Sequence, residues 1–152
     1  MVWPDDLICI LLATVLGGGI GLERELSGKA AGLRTNLLIC LGAAVFTIIS
    51  RRMAAGTQDS VTRIAAQIVT GVGFLGAGAI IQDRGGVHGM TTAATIWLVA
   101  SIGTACGARF YQLAVISTLI AVIVLVGLRK LSKHIDRHGE KHSRPNDPGQ
   151  QD

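Results

Sequence analysis

Long charge-free runs alternate along the chain with short charged segments. Five runs lack Asp, Glu, Lys and Arg altogether: Leu7–Leu22, Thr35–Ser50, Ile64–Gln82, Gly85–Ala108 and Phe110–Leu128. Each is close to the roughly 17–25 residues that a membrane helix needs. Because backbone polar groups in lipid must be hydrogen-bonded within the protein, these runs are expected to be helical. The pattern predicts an all-α membrane protein of about five transmembrane helices.

Composition and charge support this prediction and add an orientation. Only 16% of the 152 residues are charged and 49% are hydrophobic, whereas a soluble domain carries roughly 25% charged residues. Ten of the 14 Lys and Arg residues lie in the segments after the first and third runs and in the tail. Since basic residues concentrate in cytoplasmic loops, we expect the N-terminus outside and the C-terminus in the cytoplasm. The net positive charge is then explained by membrane orientation. No further cluster of basic residues remains that would predict binding to nucleic acid.

We expect two parts, a transmembrane domain over residues 1–128 and a basic tail over residues 129–152 that is partly disordered. The first part of the tail is able to extend the last helix. It carries His134, His138 and His142, which are spaced every four residues. Three interpretations stay open for these histidines: a transition-metal site shared by neighbours, an acid sensor, or a solvated basic segment near anionic lipid.

The third run contains the string G-x-G-x-x-G at Gly71, Gly73 and Gly76, followed by Gly78. A dinucleotide-binding turn would need an acidic residue about 20 residues later, and none follows at that spacing. Small residues also let membrane helices approach closely, which favours a central, tightly packed helix. The alternative is a helix loosened by glycine that bends or unwinds and offers carbonyls to an ion or partner, with Gln67 and Gln82 as polar handles.

Small residues four apart occur in several runs and mark expected contact faces between helices. These pairs are Gly17/Gly21, Ala66/Thr70, Gly73/Ala77 and Gly103/Gly107. The three cysteines also lie within apolar runs, where they are expected to pack as small hydrophobic residues.

Acids and bases alternate densely after the first run, which makes this segment a candidate functional polar cluster. Its members are Glu23, Arg24, Glu25, Arg34 and Thr35. Charges at the edge of a membrane span are usually paired, and we expect Glu25 to pair with Lys29 four residues on. An ordinary charged loop is the alternative. Arg63, which opens the third helix near Asp59, is expected to snorkel to the interface or to pair with a carboxylate of a neighbouring subunit.

Carboxylates on this side of the membrane also form a weak candidate metal site. Glu23, Glu25 and Asp83 together would offer the oxygen ligands that Mg²⁺ prefers. Nothing in their spacing requires a metal, so Mg²⁺ is a weak expectation as a cofactor. Thr91 or Thr92 is expected to cap the fourth helix. No catalytic triad, Cys–His pair or nucleotide loop is present in the sequence, and we predict that the protein is not an enzyme.

Three ordered segments resemble the MgtC/SapB family of membrane proteins. They are Gly21-Leu-Glu-Arg-Glu with Lys29-Ala-Ala-Gly-Leu-Arg-Thr35, then Arg63-Ile-Ala-Ala-Gln-Ile-Val-Thr-Gly-Val-Gly-Phe-Leu-Gly-Ala-Gly78, and Gly89-Met-Thr-Thr-Ala-Ala-Thr-Ile-Trp97. The resemblance extends from about Leu7 to Leu128. It adds a set of matched motif positions: Arg63, Gln67, Gly71, Gly73, Gly76, Gly78, Gly89, Thr92 and Trp97. This chain resembles a short, SapB-like member without the soluble C-terminal domain of the virulence-type members.

The resemblance implies a multi-pass protein of the bacterial inner membrane, linked to growth at low Mg²⁺, acid stress and intracellular survival. It implies a regulator that acts by contact with membrane proteins. The expected partners are the lipid bilayer, a second copy of the chain and the membrane sector of the F-type ATP synthase. The alternative is a transporter or channel for Mg²⁺ or another ion, formed by an oligomer.

Overall fold

The computed structural model describes residues 4–53, 58–83 and 86–139, and for residues 58–65 and 130–139 it describes the backbone alone. Five α-helices and one short β-hairpin make up this part of the chain. In chain order the elements are α1 (Pro4–Leu26), α2 (Leu33–Met53), α3 (Gln58–Gly78), β1 (Ile81–Asp83), β2 (Gly86–His88), α4 (Met90–Gly107) and α5 (Tyr111–Gly139).

Four of these helices are long and apolar enough to cross a membrane: α1, α2, α4 and the part of α5 from Tyr111 to Arg129. The remaining helix, α3, begins in the charged segment before the third run. Within the part of α3 whose side chains the structure describes, Ala66–Gly78 is a shorter apolar stretch. The predicted all-α, multi-pass membrane protein of about five helices is confirmed. The expected extension of the last helix is also present, because α5 continues to Gly139.

The third charge-free run is not helical to its end. Helix α3 ends at Gly78, where the amides of Ala79 and Ile80 bond to the carbonyls of Gly76 and Ala77 at 3.1 Å each in a final tight turn. The chain then forms the antiparallel β1–β2 hairpin, in which Gln82 pairs with Val87. Both strands are exposed, so the segment expected to complete a membrane span is a surface ribbon leading into α4.

Glycines bring α1 and α4 into backbone contact with α2. A Cβ atom added at Gly17 would lie 2.4 Å from Cys40 Cβ, and one added at Gly103 would lie 2.1 Å from the Cys40 carbonyl oxygen. One turn further along each helix, a Cβ atom added at Gly21 would lie 2.8 Å from Leu33 Cα, and one added at Gly107 would lie 2.5 Å from the Ala44 carbonyl oxygen. These distances exclude any side chain without a shift of the backbone. The predicted contact faces Gly17/Gly21 and Gly103/Gly107 are therefore confirmed.

Helix α4 occupies the centre of the bundle, and the expected central position of α3 is wrong for the single chain. Val99, Ile102 and Cys106 of α4 are almost completely buried, and α4 packs against all four other helices. Within its described side chains, from Ala66 to Gly78, helix α3 packs against α2 and α4 through one face, which includes Val72 and Gly76. Small residues permit close packing but do not by themselves supply neighbours on every side.

Helix α5 lies against the outside of α1 and α4 through a stripe of small residues. Ala114, Thr118 and Ala121 are buried on this stripe, at the three- and four-residue spacing of one helix face. The three cysteines Cys9, Cys40 and Cys106 are all buried with free thiols. They pack as the small apolar residues that the sequence predicted.

Candidate functional site

Arg24 is buried at the C-terminal end of α1 and joins two of the sequence motifs. Its side chain donates from Nη2 to the Thr92 hydroxyl of α4 at 2.9 Å. Both residues are nearly inaccessible, at 3% and 5% exposure. The Arg24 Nε atom is also buried and has no hydrogen-bond partner among the described residues. A buried cation with an unused donor is costly unless something supplies an acceptor, which marks this position as a candidate site.

Glu23 lies beside Arg24 and is linked to α5 through a serine. Its Oε1 atom accepts a hydrogen bond from Ser27 Oγ at 2.6 Å, and Ser27 Oγ accepts one from Arg129 Nη1. The other carboxylate oxygen, Oε2, is buried without a partner in the described part of the chain. We call Glu23, Arg24, Ser27, Thr92 and Arg129 the Arg24 cluster. It ties α1, α4 and α5 together at one end of the bundle.

Glu25 belongs to a different contact, at the beginning of α2. Its Oε2 atom accepts a hydrogen bond from the Leu33 amide at 2.9 Å, so a carboxylate satisfies one of the free amides at a helix N-terminus. Gly32 makes room for it, because a Cβ there would lie within 1.8 Å of that oxygen. The expected pair with Lys29 does not form in the described structure. Lys29 follows the end of α1 at Leu26, so four-residue spacing no longer places the two side chains on one face.

The other two residues of the predicted polar cluster do not join it. Arg34 and Thr35 lie in the first turn of α2 and are exposed. Asn36 is instead the fully buried polar residue of this turn, and its amide donates to the Ala31 and Gly32 carbonyls at 2.7 and 2.8 Å. The predicted set is thus divided among a buried cluster, a helix cap and an exposed face.

The motif from Gly89 to Trp97 contributes a turn and one buried hydroxyl. Gly89 precedes α4 with φ of 86°, and a Cβ there would lie 1.9 Å from the Ala79 carbonyl oxygen. Both the positive φ and the close approach require glycine. Helix α4 has no side-chain cap, contrary to the expectation for Thr91 or Thr92, because the N-cap residue is Gly89 and both threonines lie inside the helix. The Thr92 hydroxyl accepts the hydrogen bond from Arg24 instead. Trp97 is half exposed on α4, away from these contacts.

The glycine motif of α3 faces outward along most of its length. A Cβ added at Gly71, Gly73 or Gly78 would meet nothing within 4 Å, whereas Gly76 lies against Ala93 of α4. An apolar groove of about 610 Å³ runs between α2 and α3, with Gln67 as its one polar side chain among the described lining residues. The side chain of Arg63 lies outside the described residues, so its expected interfacial role stays a prediction.

The weak candidate metal site is not assembled. Glu25 is engaged at α2, and Asp83 is an exposed residue of the hairpin, with its Oδ1 atom 3.6 Å from His88 Nε2. Within residues 4–53, 58–83 and 86–139, no three His, Cys, Asp or Glu side chains are grouped so that they could hold a metal ion. His134 and His138 lie in α5 with undescribed side chains, and His142 lies outside the described residues, so their role stays open.

Sequence reasoning missed a second polar cluster, at the opposite end of the bundle. Asp6 of α1 is buried at 3% exposure. Its Oδ1 atom is 2.6 Å from Arg51 Nη2, and its Oδ2 atom accepts a hydrogen bond from Arg52. Arg109 pairs with Asp5 at 2.9 Å and approaches Asp6 at 4.0 Å. We call Asp5, Asp6, Arg51, Arg52 and Arg109 the Asp6 cluster. The available signal was an acidic pair opening one helix and an arginine pair closing the next, which meet when consecutive helices are antiparallel.

Comparison with known proteins identifies the family. The profile of the MgtC family matches residues 10–134. Protein MgtC of Brucella abortus is 43% identical over 134 residues, which cover 86% of this chain and 56% of the relative. The protein slr0014 of Synechocystis is 41% identical over 143 residues, covering 94% of this chain and 60% of the relative. YhiD of Escherichia coli K12, whose name proposes a magnesium transporter, is 42% identical over 134 residues, covering 84% and 62%.

The chain therefore spans little more than half the length of these relatives. No solved structure matches it. The matched region includes all the helices described above except the first residues of α1 and the last residues of α5. Because the family profile covers most of the chain, and the Arg24 cluster and the glycine helix lie inside the match, this multi-pass membrane protein belongs to the MgtC family.

Proposed function

We propose that this protein is a non-catalytic regulator in the bacterial inner membrane that acts through contact between membrane helices, in a system that adapts the cell to low magnesium. The observation that carries the proposal is the open face of α3, where a Cβ atom added at Gly71, Gly73 or Gly78 would meet none of the described residues within 4 Å. A glycine surface lets another helix approach to backbone contact. The magnesium connection rests on family membership and on the name of the relative YhiD.

The proposed binding face is α3 together with the groove between α2 and α3. The groove is apolar apart from Gln67, and a single amide in such a surface is able to hydrogen-bond across a helix interface. Phe74 is 82% exposed on the same helix, and its ring would pack against the surface of a partner helix. The proposed occupants are a second copy of the chain and, by resemblance to the family, the membrane sector of the F-type ATP synthase.

In this proposal the N-terminus is outside and the Arg24 cluster is at the cytoplasmic end. The support is the excess of Lys and Arg after the first and third helices and in the tail. A partner in the bilayer would then contact α3 from the side. The buried charges at both ends would hold the remaining helices in position.

Ion transport is the rival function, and it is favoured by the name of YhiD alone. Ionisable residues within spans usually mark ion paths, and the five charge-free runs contain no Asp, Glu, Lys or Arg. The test of this rival is Mg²⁺ entry into proteoliposomes that contain the purified chain. Mg²⁺ flux that is present with the unmodified chain and lost in Gly73→Leu would favour ion transport and contradict the regulatory proposal.

The proposal itself is tested by association in lipid. Energy transfer between labelled copies in vesicles is expected to fall in Gly71→Leu and Gly73→Leu, since leucine would prevent close helix approach. Gly19→Leu is the matched control, because a Cβ at Gly19 of α1 also meets nothing within 4 Å. Co-purification of the ATP synthase membrane sector is measured with the same variants. An unchanged signal in the α3 variants for both partners would contradict the proposed interface.

A further inference from the structure

The Asp6 cluster encloses a polar pocket that the proposed function does not use. The pocket has a volume of about 280 Å³ and is lined by Asp6, Arg51, Arg52 and Arg109. Three guanidinium groups face two carboxylates in this cluster, since Asp5 pairs with Arg109. The cluster therefore keeps one positive charge in excess, and it accommodates an anion better than a cation.

Arginine donors remain available after the internal pairs are made. Arg51 uses Nη2 on Asp6, while its Nη1 atom is buried and has no hydrogen-bond partner among the described residues. Arg52 and Arg109 each keep 44% of their side chains exposed at the rim. A guanidinium carries five N–H donors. An anion in the pocket would therefore accept hydrogen bonds from the donors that remain, without displacing Asp6.

The backbone at Arg109 gives a second, independent observation. Arg109 follows α4 with φ of 68°, in the left-handed region. Its amide bonds to the Cys106 carbonyl at 3.0 Å, and the Phe110 amide bonds to the Ala105 carbonyl at 2.9 Å, which is the Schellman ending of a helix. Glycine is the usual residue at this position. An arginine there is strained, and such strain is concentrated at functional sites.

The pocket lies at one end of the membrane-spanning helices, where the lipid phosphates of a surrounding bilayer would be placed. It is formed by the first turn of α1, the last turn of α2 and the α4–α5 connection, all at one end of helices long enough to span a membrane. The neighbouring residues fit an interface: Phe110 is 64% exposed, and the Tyr111 hydroxyl lies 3.3 Å from Cys9 Sγ. Tyrosine is enriched where the bilayer meets water.

We infer that the pocket of the Asp6 cluster binds a phosphate group, held by Arg51, Arg52 and Arg109. The guanidinium fork matches phosphate geometry, and phosphate is the abundant anion at this depth. The source is either the headgroup of an anionic phospholipid or free phosphate in solution. Asp6 orients Arg51 and Arg52, and the left-handed turn presents Arg109.

The test uses the full chain, purified in neutral detergent, with phosphatidylglycerol, phosphatidylcholine or inorganic phosphate added at matched ionic strength. Native mass spectrometry counts bound lipid, and thermal unfolding reports stabilisation. We expect phosphatidylglycerol to bind and to raise the unfolding temperature more than phosphatidylcholine. Stabilisation by inorganic phosphate alone, lost in the same variants, would support the site and identify the free anion as its source.

Arg109→Gly is the decisive variant, because glycine fits the left-handed turn and leaves the fold intact. It is expected to weaken phosphatidylglycerol binding roughly tenfold or more, as for the loss of one charged hydrogen bond. Arg52→Gln is the second variant, since Asp6 retains Arg51. Arg129→Gln removes an arginine from the opposite end and is expected to bind normally. The inference is overturned if Arg109→Gly and Arg52→Gln respond to phosphatidylglycerol and to inorganic phosphate like the unmodified chain. It is also overturned if inorganic phosphate has no effect and phosphatidylglycerol binds no better than phosphatidylcholine.

Discussion

Arg24 of α1 and Thr92 of α4 form a hydrogen bond of 2.9 Å across 68 residues of sequence. Each belongs to a different sequence motif, and both are buried at the end of the bundle. The contact joins two sequence motifs that lie far apart in the chain, and it supplies the acceptor that the buried charge of Arg24 requires. The free energy of this contact is measurable.

Removing the acceptor is expected to destabilise the protein through Arg24. In a double-mutant cycle of Arg24→Met and Thr92→Val, followed by unfolding in detergent or lipid, we expect a coupling energy on the order of 1 kcal/mol, within the range for hydrogen bonds between membrane helices. Thr91→Val is the control, because Thr91 is exposed one residue earlier. A Thr92→Val variant no less stable than Thr91→Val would contradict the assigned contact.

The two groups of glycines are expected to respond to alanine in opposite directions. Gly103→Ala places a Cβ 2.1 Å from the Cys40 carbonyl oxygen, and such overpacking costs about 1–3 kcal/mol. Gly73→Ala meets open space and gains up to about 1 kcal/mol of helix propensity. Free energies of unfolding for the monomer compare the two. Equal effects at both positions would show that α4 does not pack on α2 as described.

The sequence predicts which residues of a helix share a contact face better than it predicts which helices are neighbours or how the turns are formed. The glycines of α1 and α4 were predicted as contact residues, and they are, because four-residue spacing defines a helix face. The same reasoning placed α3 at the centre, where α4 lies instead, since small residues do not reveal whether a neighbour belongs to the same chain. Arg34 was grouped with Glu23 by proximity in sequence, but the turn between α1 and α2 leaves Arg34 exposed. The left-handed backbone at Arg109 could not be predicted, because arginine rarely adopts this conformation and nothing in the sequence marks the position.

Two glycines with positive φ form a matched pair: Gly89 in the turn before α4 and Gly28 in the connection between α1 and α2. Gly89 has φ of 86° and lies against the Ala79 carbonyl, whereas Gly28 has φ of 64° and faces open space. Alanine at either position incurs the left-handed penalty of roughly 1–2 kcal/mol. We expect Gly89→Ala to lose more stability than Gly28→Ala in thermal unfolding, since it also collides with Ala79. Equal losses would mean that the hairpin moves freely away from α4.

At Arg109 the expected order of stability is glycine above alanine. Both substitutions remove the same exposed ion pair with Asp5, which contributes little, so their difference isolates the backbone. Glycine relieves the left-handed strain, and Arg109→Gly is expected to be more stable than Arg109→Ala by about 1 kcal/mol. The measurement is the free energy of unfolding of the two variants. The reverse order would exclude a strained backbone at this turn.

The continuity of α5 has a mechanical consequence. The helix runs without a break from Tyr111 to Gly139, and the part beyond Arg129 extends about 15 Å at 1.5 Å per residue. Because the helix is continuous, a small tilt of its packed part against α1 and α4 would displace its C-terminal end by a larger distance. The hydrogen bond between Arg129 and Ser27 lies where α5 leaves the bundle, so it would oppose such a tilt.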